Sequence, residues 1–173
     1  MENVESSKNS IELLKKDDNA DLIIKRSKII NLKNQTIHET VEGDVLLEDL
    51  TESKIELSGE INSLRIRKSI NCEISLIGIC TTGSIYIENV KGGKLVIAGD
   101  QIRIHDTSNV DIFLFSKNSC ILEDCEDLRF YPNRNAAKLF VAYNGDDNYW
   151  RCVQDFGFDS ENSFKLIDLA DES

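Results

Sequence analysis

A repeat of about twenty residues constrains this chain more than any other feature. Five segments align with one another: Val45-Leu46-Leu47-Glu48-Asp49, Leu64-Arg65-Ile66-Arg67-Lys68, Ile85-Tyr86-Ile87-Glu88-Asn89, Ile102-Arg103-Ile104-His105-Asp106 and Cys120-Ile121-Leu122-Glu123-Asp124. Their starts lie 19, 21, 17 and 18 residues apart, and each has an apolar first and third residue. A second alternating pair follows in each unit: Ile55/Leu57, Ile74/Leu76, Leu95/Ile97, Ile112/Leu114 and finally Phe130. Period-two alternation is the signature of strands. One such unit cannot bury its apolar side alone, so the units must stack and share a column of apolar residues. The expected fold is an all-β solenoid of about five rungs, with a short N-terminal lead-in and a C-terminal tail packed on one face. Four of the five segments end in Asp or Asn, residues that suit tight corners because they bond local backbone and tolerate left-handed conformations. Lys68 breaks that rule. After Val45 no long 3.6-period segment exists, which excludes a helical bundle.

Residues 1–40 differ from the rest. Ser, Asn, Lys and Asp dominate residues 5–20, Ile11, Leu13 and Leu14 suggest the start of a short helix, and Ile23-Ile24 with Ile29-Ile30 suggest strands. We therefore expect a partly flexible lead-in over 1–40, the repeat domain with its covering tail over 41–160, and an acidic tail over 161–173. From about Asn133 the repeat is lost, and the aromatics of the following stretch need cover. The tail is expected to fold back on the solenoid and bury Trp150 and Phe156.

Charge and composition exclude several functions. The chain carries 31 acidic and 20 basic residues, a net charge of −11. That balance argues against nucleic acid and against an anionic membrane surface. Apolar runs such as Leu76-Ile77-Gly78-Ile79-Cys80 are too short to span a bilayer. The N-terminus lacks the features of a secretory signal or a myristoylation site, so the chain is expected to be intracellular with no membrane anchor. Five cysteines, at 72, 80, 120, 125 and 152, form no Cys-x-x-Cys pair, and His38 and His105 have no companions at ligand spacing. Reduced thiols and no metal site are the expectation.

Strand alternation also ranks the surface. With odd positions of the first strand inward, one outward column reads Leu46, Arg65, Tyr86, Arg103, Ile121 and a second reads Glu48, Arg67, Glu88, His105, Glu123. On the second strand Glu56, Ser75, Val96 and Phe113 point outward. Tyr86, Ile121 and Phe113 are apolar on a side that should meet water, which marks a binding surface or a place for the tail.

The stretches Asp100-Gln101-Ile102-Arg103-Ile104-His105-Asp106, Ile121-Leu122-Glu123-Asp124-Cys125 and Asn148-Tyr149-Trp150 with Val153-Gln154-Asp155-Phe156 resemble the C-terminal domain of the tubulin-binding cofactor C family. Gly43-Asp44-Val45-Leu46-Leu47 resembles that domain's start, and the likeness runs over roughly residues 30–160. The resemblance implies a right-handed parallel β-helix that activates GTP hydrolysis in trans. Arg103 matches the family's arginine finger, with Gln101 in support, and Glu123 matches an acidic residue of the next rung. Asp100 stands where the family often has Gln. With Asp100 and Glu123, the exposed Tyr86, Phe113 and Arg65 complete the expected partner-binding set. The implied partners are tubulin with cofactors D and E, or an Arf-like small GTPase, in a cytoplasmic setting tied to the microtubule cytoskeleton. GTP and Mg would be bound by the partner, leaving the chain with no cofactor of its own. The alternative is a non-catalytic module that binds tubulin, a GTPase or actin on the same β-helix. A carbohydrate-acting β-helix enzyme ranks a distant third, because Arg67 and His105 interrupt the column of Glu48, Glu88 and Glu123.

Overall fold

The computed structural model describes residues 10–14, 25–79, 81–139, 148–157 and 161–168. Ten strands and one short helix follow in chain order: β1 (Ser10–Leu14), β2 (Arg26–Lys33), β3 (Thr36–Thr51), β4 (Lys54–Leu76), β5 (Thr81–His105), β6 (Asp111–Ser116), β7 (Cys120–Glu123), β8 (Leu128–Pro132), α1 (Arg134–Leu139), β9 (Val153–Asp155) and β10 (Phe164–Leu166). Every pairing from β2 onward is parallel, each turn lying on the next as the repeat requires. The result is a β-solenoid.

Backbone conformation marks the turns. Pairs of left-handed residues three apart recur six times: Asn31/Asn34, Asp49/Glu52, Lys68/Asn71, Asn89/Gly92, Asp106/Asn109 and Asp124/Asp127. The solenoid therefore has a turn ahead of Val45, built on β2, and it begins inside the stretch read as a lead-in. Asx residues hold most of these corners, as their tolerance of positive φ predicts. Lys68 adopts the same conformation (φ 53°). Its ammonium lies 3.1 Å from Glu48 Oε1 and 3.9 Å from Asp49 Oδ1, so the misfit residue is tied to the preceding turn.

Between the corners, one side chain per turn faces in: Leu32, Leu50, Ser69, Val90, Thr107 and Cys125 are all buried. The two hydroxyls find local acceptors or donors where described: Thr107 Oγ1 donates to His105 O at 2.9 Å and receives Val90 N–H at 3.4 Å. The alternating apolar residues form the expected columns. Val45, Leu64, Ile85, Ile102 and Cys120 stack in one, and Leu47, Ile66, Ile87, Ile104 and Leu122 in the next, all buried in a single core. Each fully covered Leu or Ile contributes about 1.5–3 kcal/mol relative to exposure. Close stacking also demands glycine at some bends. At Gly93 (φ +92°) a Cβ would lie 2.1 Å from Cys72 O, inside any allowed contact.

Several expectations change. Ile11, Leu13 and Leu14 belong to no helix: β1 is a strand, antiparallel to β2, because an unpaired first turn offers its edge for pairing. Ile23-Ile24 lies outside the described residues. The tail returns to the solenoid by strand pairing, β9 on β7 and β10 on β8, with Cys120 N–H bonded to Cys152 O at 2.9 Å. Trp150 is buried in the core as expected. Phe156 is not; it is 64% exposed. Register explains this, since Leu122 pairs with Asp155 and the next residue takes an outward position. Asn133 caps α1: its Oδ1 accepts the Ala136 N–H at 3.1 Å, and its Nδ2 donates to Ile97 O at 3.2 Å. Ala136 then packs with Ala98 and Phe115 in a small second core.

Candidate functional site

Register across the turns fixes the outward column. Lys28 pairs with Leu46, Leu46 with Arg65, and Arg65 with Tyr86. Arg103 pairs with Ile121, and Ile121 with Gln154. The bridge from Lys91 to Ser108 sets an offset of seventeen residues between these turns, the same as from Tyr86 to Arg103. One line therefore runs Lys28, Leu46, Arg65, Tyr86, Arg103, Ile121, Gln154. Parallel neighbours stand about 4.8 Å apart.

Arg103 is exposed, while Ile102 and Ile104 on either side of it are buried in the core. The strand is thereby pinned and the guanidinium faces solvent on a fixed base. No hydrogen bond or ion pair engages that guanidinium among the described residues. The other two arginines of this face each meet a neighbouring side chain. Arg65 lies over the Tyr86 ring with its carbon 5.0 Å from the centroid. Arg67 meets Glu48, Nη2 to Oε1 at 2.7 Å and Nε to Oε1 at 2.8 Å. That pairing holds the Glu48 carboxyl below its usual range, chiefly through the Arg67 hydrogen bond. A basic patch of Arg65, Arg67 and Arg103 thus reduces to Arg65 and Arg103.

The remaining candidates divide. Gln101 is exposed and shares the outward side with Arg103, two residues away on the same strand. Asp100 has the opposite parity and is half-buried; its Oδ1 is 3.0 Å from Lys117 Nζ, and its carbonyl accepts Asn118 Nδ2 at 3.2 Å. Glu123 is exposed and stands opposite His105 in the register, not opposite Arg103. His105 Nε2 lies 3.4 Å from Asp124 Oδ2. Tyr86 and Ile121 flank the Arg103 position, whereas Phe113 sits on another face. Its ring stacks on Tyr131 at 4.6 Å with Lys94 Nζ 4.9 Å from the Phe113 centroid. Ser75, expected outward, is buried; its small side chain stands in register with the bulkier Val96.

Two outward residues of the tail join this face: Gln154, which follows Ile121 in the Arg103 line, and Phe156, two residues further along, both exposed. Neither lies in the repeat, so no periodicity points to their place; only β9 pairing on β7 brings them to this face. Among the described residues no group of three or more His, Cys, Asp or Glu is placed to hold a metal. Cys72, Cys120, Cys125 and Cys152 are free thiols, and burial pushes the Cys120 thiol far up. Cys80 lies outside the described residues. No helix among the described residues is long and apolar enough to cross a membrane.

Comparison with known proteins agrees with this geometry. The family described as Tubulin binding cofactor C matches residues 42–156. Tubulin-specific chaperone C from Mus musculus is 34% identical over 143 residues, covering 80% of this chain and 39% of the relative. Its counterpart from Homo sapiens is 31% identical, covering 74% of this chain and 39% of its own length. Tubulin-folding cofactor C from Arabidopsis thaliana is 31% identical, covering 73% and 39%. The chain thus spans about two-fifths of the length of these relatives, and the match covers five of the six turns seen among the described residues and β9. On the strength of that match, the chain belongs to the tubulin binding cofactor C family.

Proposed function

We propose that this chain acts in the tubulin-folding pathway and stimulates GTP hydrolysis by its partner, with Arg103 as an arginine finger. The partner is tubulin held with cofactors D and E, or an Arf-like small GTPase, and the setting is the cytoplasm. The observation that carries the reading is Arg103 itself: exposed, unpaired among the described residues, and fixed between two buried isoleucines. Hydrolysis of GTP develops charge on the γ-phosphoryl oxygens, and a positioned guanidinium supplied in trans accelerates it by about 10³ to 10⁵. A guanidinium suits the task because it is planar, always charged and forks onto two oxygens. The partner holds the nucleotide and Mg; this chain supplies the cation and its rigid mount. Gln101 supports it in this reading; its exposure on the same side favours that role.

A second reading rests on Asp100. Its carboxylate is taken up by Lys117 and its parity turns it from the outward row, so the position that is Gln in much of the family does not serve the finger here. In that reading the chain binds its partner without stimulating it. The deciding experiment measures GTP turnover by purified tubulin with cofactors D and E, and separately by an Arf-like GTPase, with this chain and with Arg103→Ala. Stimulation that disappears in the variant supports the finger. Binding without stimulation by the unaltered chain supports the second reading.

A further inference from the structure

The chain carries eleven net negative charges, yet from β2 to β9 one surface line contains no acid; the first acid in its register is Glu12 of β1, paired with Lys28 at the far end from Arg103. Lys28, Leu46, Arg65, Tyr86, Arg103, Ile121 and Gln154 succeed one another in register on six strands, Tyr86 and Arg103 both lying on β5. Three of the seven are cations and none is Asp or Glu. The neighbouring line, two residues along each strand, reads Glu48, Arg67, Glu88, His105, Glu123. There Arg67 and Lys68 are both held by Glu48. This leaves Glu88 and Glu123 to set that line's character. Two lanes of opposite sign thus run side by side across the turns.

The basic lane is also stiffened at its middle. Arg65 lies over the Tyr86 ring at 5.0 Å. That contact restrains a long side chain while leaving its charge exposed, so less freedom is lost when a partner engages it. Arg65 stands two turns from Arg103, about 10 Å away at the usual strand spacing. A partner that receives Arg103 must therefore also face Arg65.

We propose that Arg65, held by Tyr86, is a second contact with the GTPase partner, docking an acidic surface that borders its nucleotide site. The proposal deepens the arginine-finger reading and rests on it for the partner's identity. The division of labour is specific. Arg65 and Tyr86 govern affinity, and Arg103 governs the rate of hydrolysis once bound. The flanking acids Glu88 and Glu123 repel the same acidic surface if it is shifted sideways by one lane, which fixes orientation.

The test measures binding and stimulated turnover separately, using purified tubulin with cofactors D and E and an Arf-like GTPase as probes. Arg65→Glu is expected to weaken binding to the responsive probe by about five- to tenfold at low salt, a larger effect than its effect on turnover at saturation. Wild-type binding should weaken with added salt, and the Arg65→Glu variant should show a shallower dependence. Tyr86→Leu should weaken binding by about two- to fivefold, and Tyr86→Phe, which keeps a ring face for the cation, should restore it. Melting temperatures establish that each variant folds. Unchanged affinity and salt dependence in Arg65→Glu would overturn the proposal, as would failure of the wild-type chain to bind either probe. The two readings fail differently: if Arg103→Ala retains full stimulation while Arg65→Glu still weakens binding, the finger is wrong and the docking lane stands.

Discussion

Arg67 and Glu48 face each other across one turn of the solenoid, with Nη2 2.7 Å from Oε1. Lys68 adds a contact to the same oxygen at 3.1 Å. The arrangement removes Arg67 from the cationic surface and anchors the one corner that lacks an Asx or Gly residue on its first position. It also makes the Glu48 carboxyl a reporter of that corner. The Arg67 hydrogen bond lowers its pKa below the ordinary 4.5. A lowered folded-state pKa contributes stability that is present above the unfolded value and is lost as pH falls through the folded one. Glu48→Gln should therefore destabilise the chain by about 1 kcal/mol at neutral pH, at the upper end for an ion pair still open to water. The difference between the two proteins should persist down to about pH 5 and shrink below the ordinary carboxylate pKa. Urea unfolding across that range checks it; a constant gap at every pH would contradict the assignment.

Arg103 should be separable from the fold. Its side chain faces solvent, so Arg103→Ala should leave the melting temperature essentially unchanged. The same variant should reduce stimulated GTP turnover by about a thousandfold. Arg103→Lys keeps the charge and loses the fork, and should fall nearly as far. Single-turnover hydrolysis at saturating chain concentration separates this effect from weakened binding.

The core should be least forgiving at its centre. Ile87 is fully buried on a middle turn, with neighbours stacked on both sides. Ile87→Ala should cost about 2–5 kcal/mol, since the cavity cannot close when both adjacent turns hold their register. Ile77, about half exposed, offers the comparison, and Ile77→Ala should stay within about 0.5 kcal/mol of the parent. Denaturant unfolding of the two variants reads both.

Two glycines with positive φ should respond unequally to alanine. At Gly93 the new Cβ meets Cys72 O at 2.1 Å, and at Gly78 (φ +65°) it meets nothing within 4 Å. Gly78→Ala should show only the conformational penalty of about 1–2 kcal/mol. Gly93→Ala should lose at least about 2 kcal/mol more, because backbone must move. Equal losses at the two sites would refute the account of close stacking at that bend.

Much of this molecule is legible in its residues. The alternating pairs that begin at Val45 set the strands, the inward columns and the outward row that holds Arg65, Tyr86 and Arg103, because a two-residue period leaves each side chain only one choice of face. Corners were readable where Asp or Asn stood, since their conformational tolerance is local. What lacked a local signal was decided elsewhere. Ile11 to Leu14 form a strand because β2 offers an edge, a fact of pairing between distant segments. Phe156 is exposed and Gln154 joins the Arg103 line because β9 lies on β7 in one particular register. Arg67 is occupied and Arg103 is not because of what stands one turn away, nineteen residues earlier for Arg67. Sequence alone determined the solenoid and, Ser75 excepted, which side the singled-out residues of the repeat strands face, for those follow from period and propensity within a few residues. Tertiary structure decided which cations remain free, since a charge pairs with whatever the stacking of turns brings within reach.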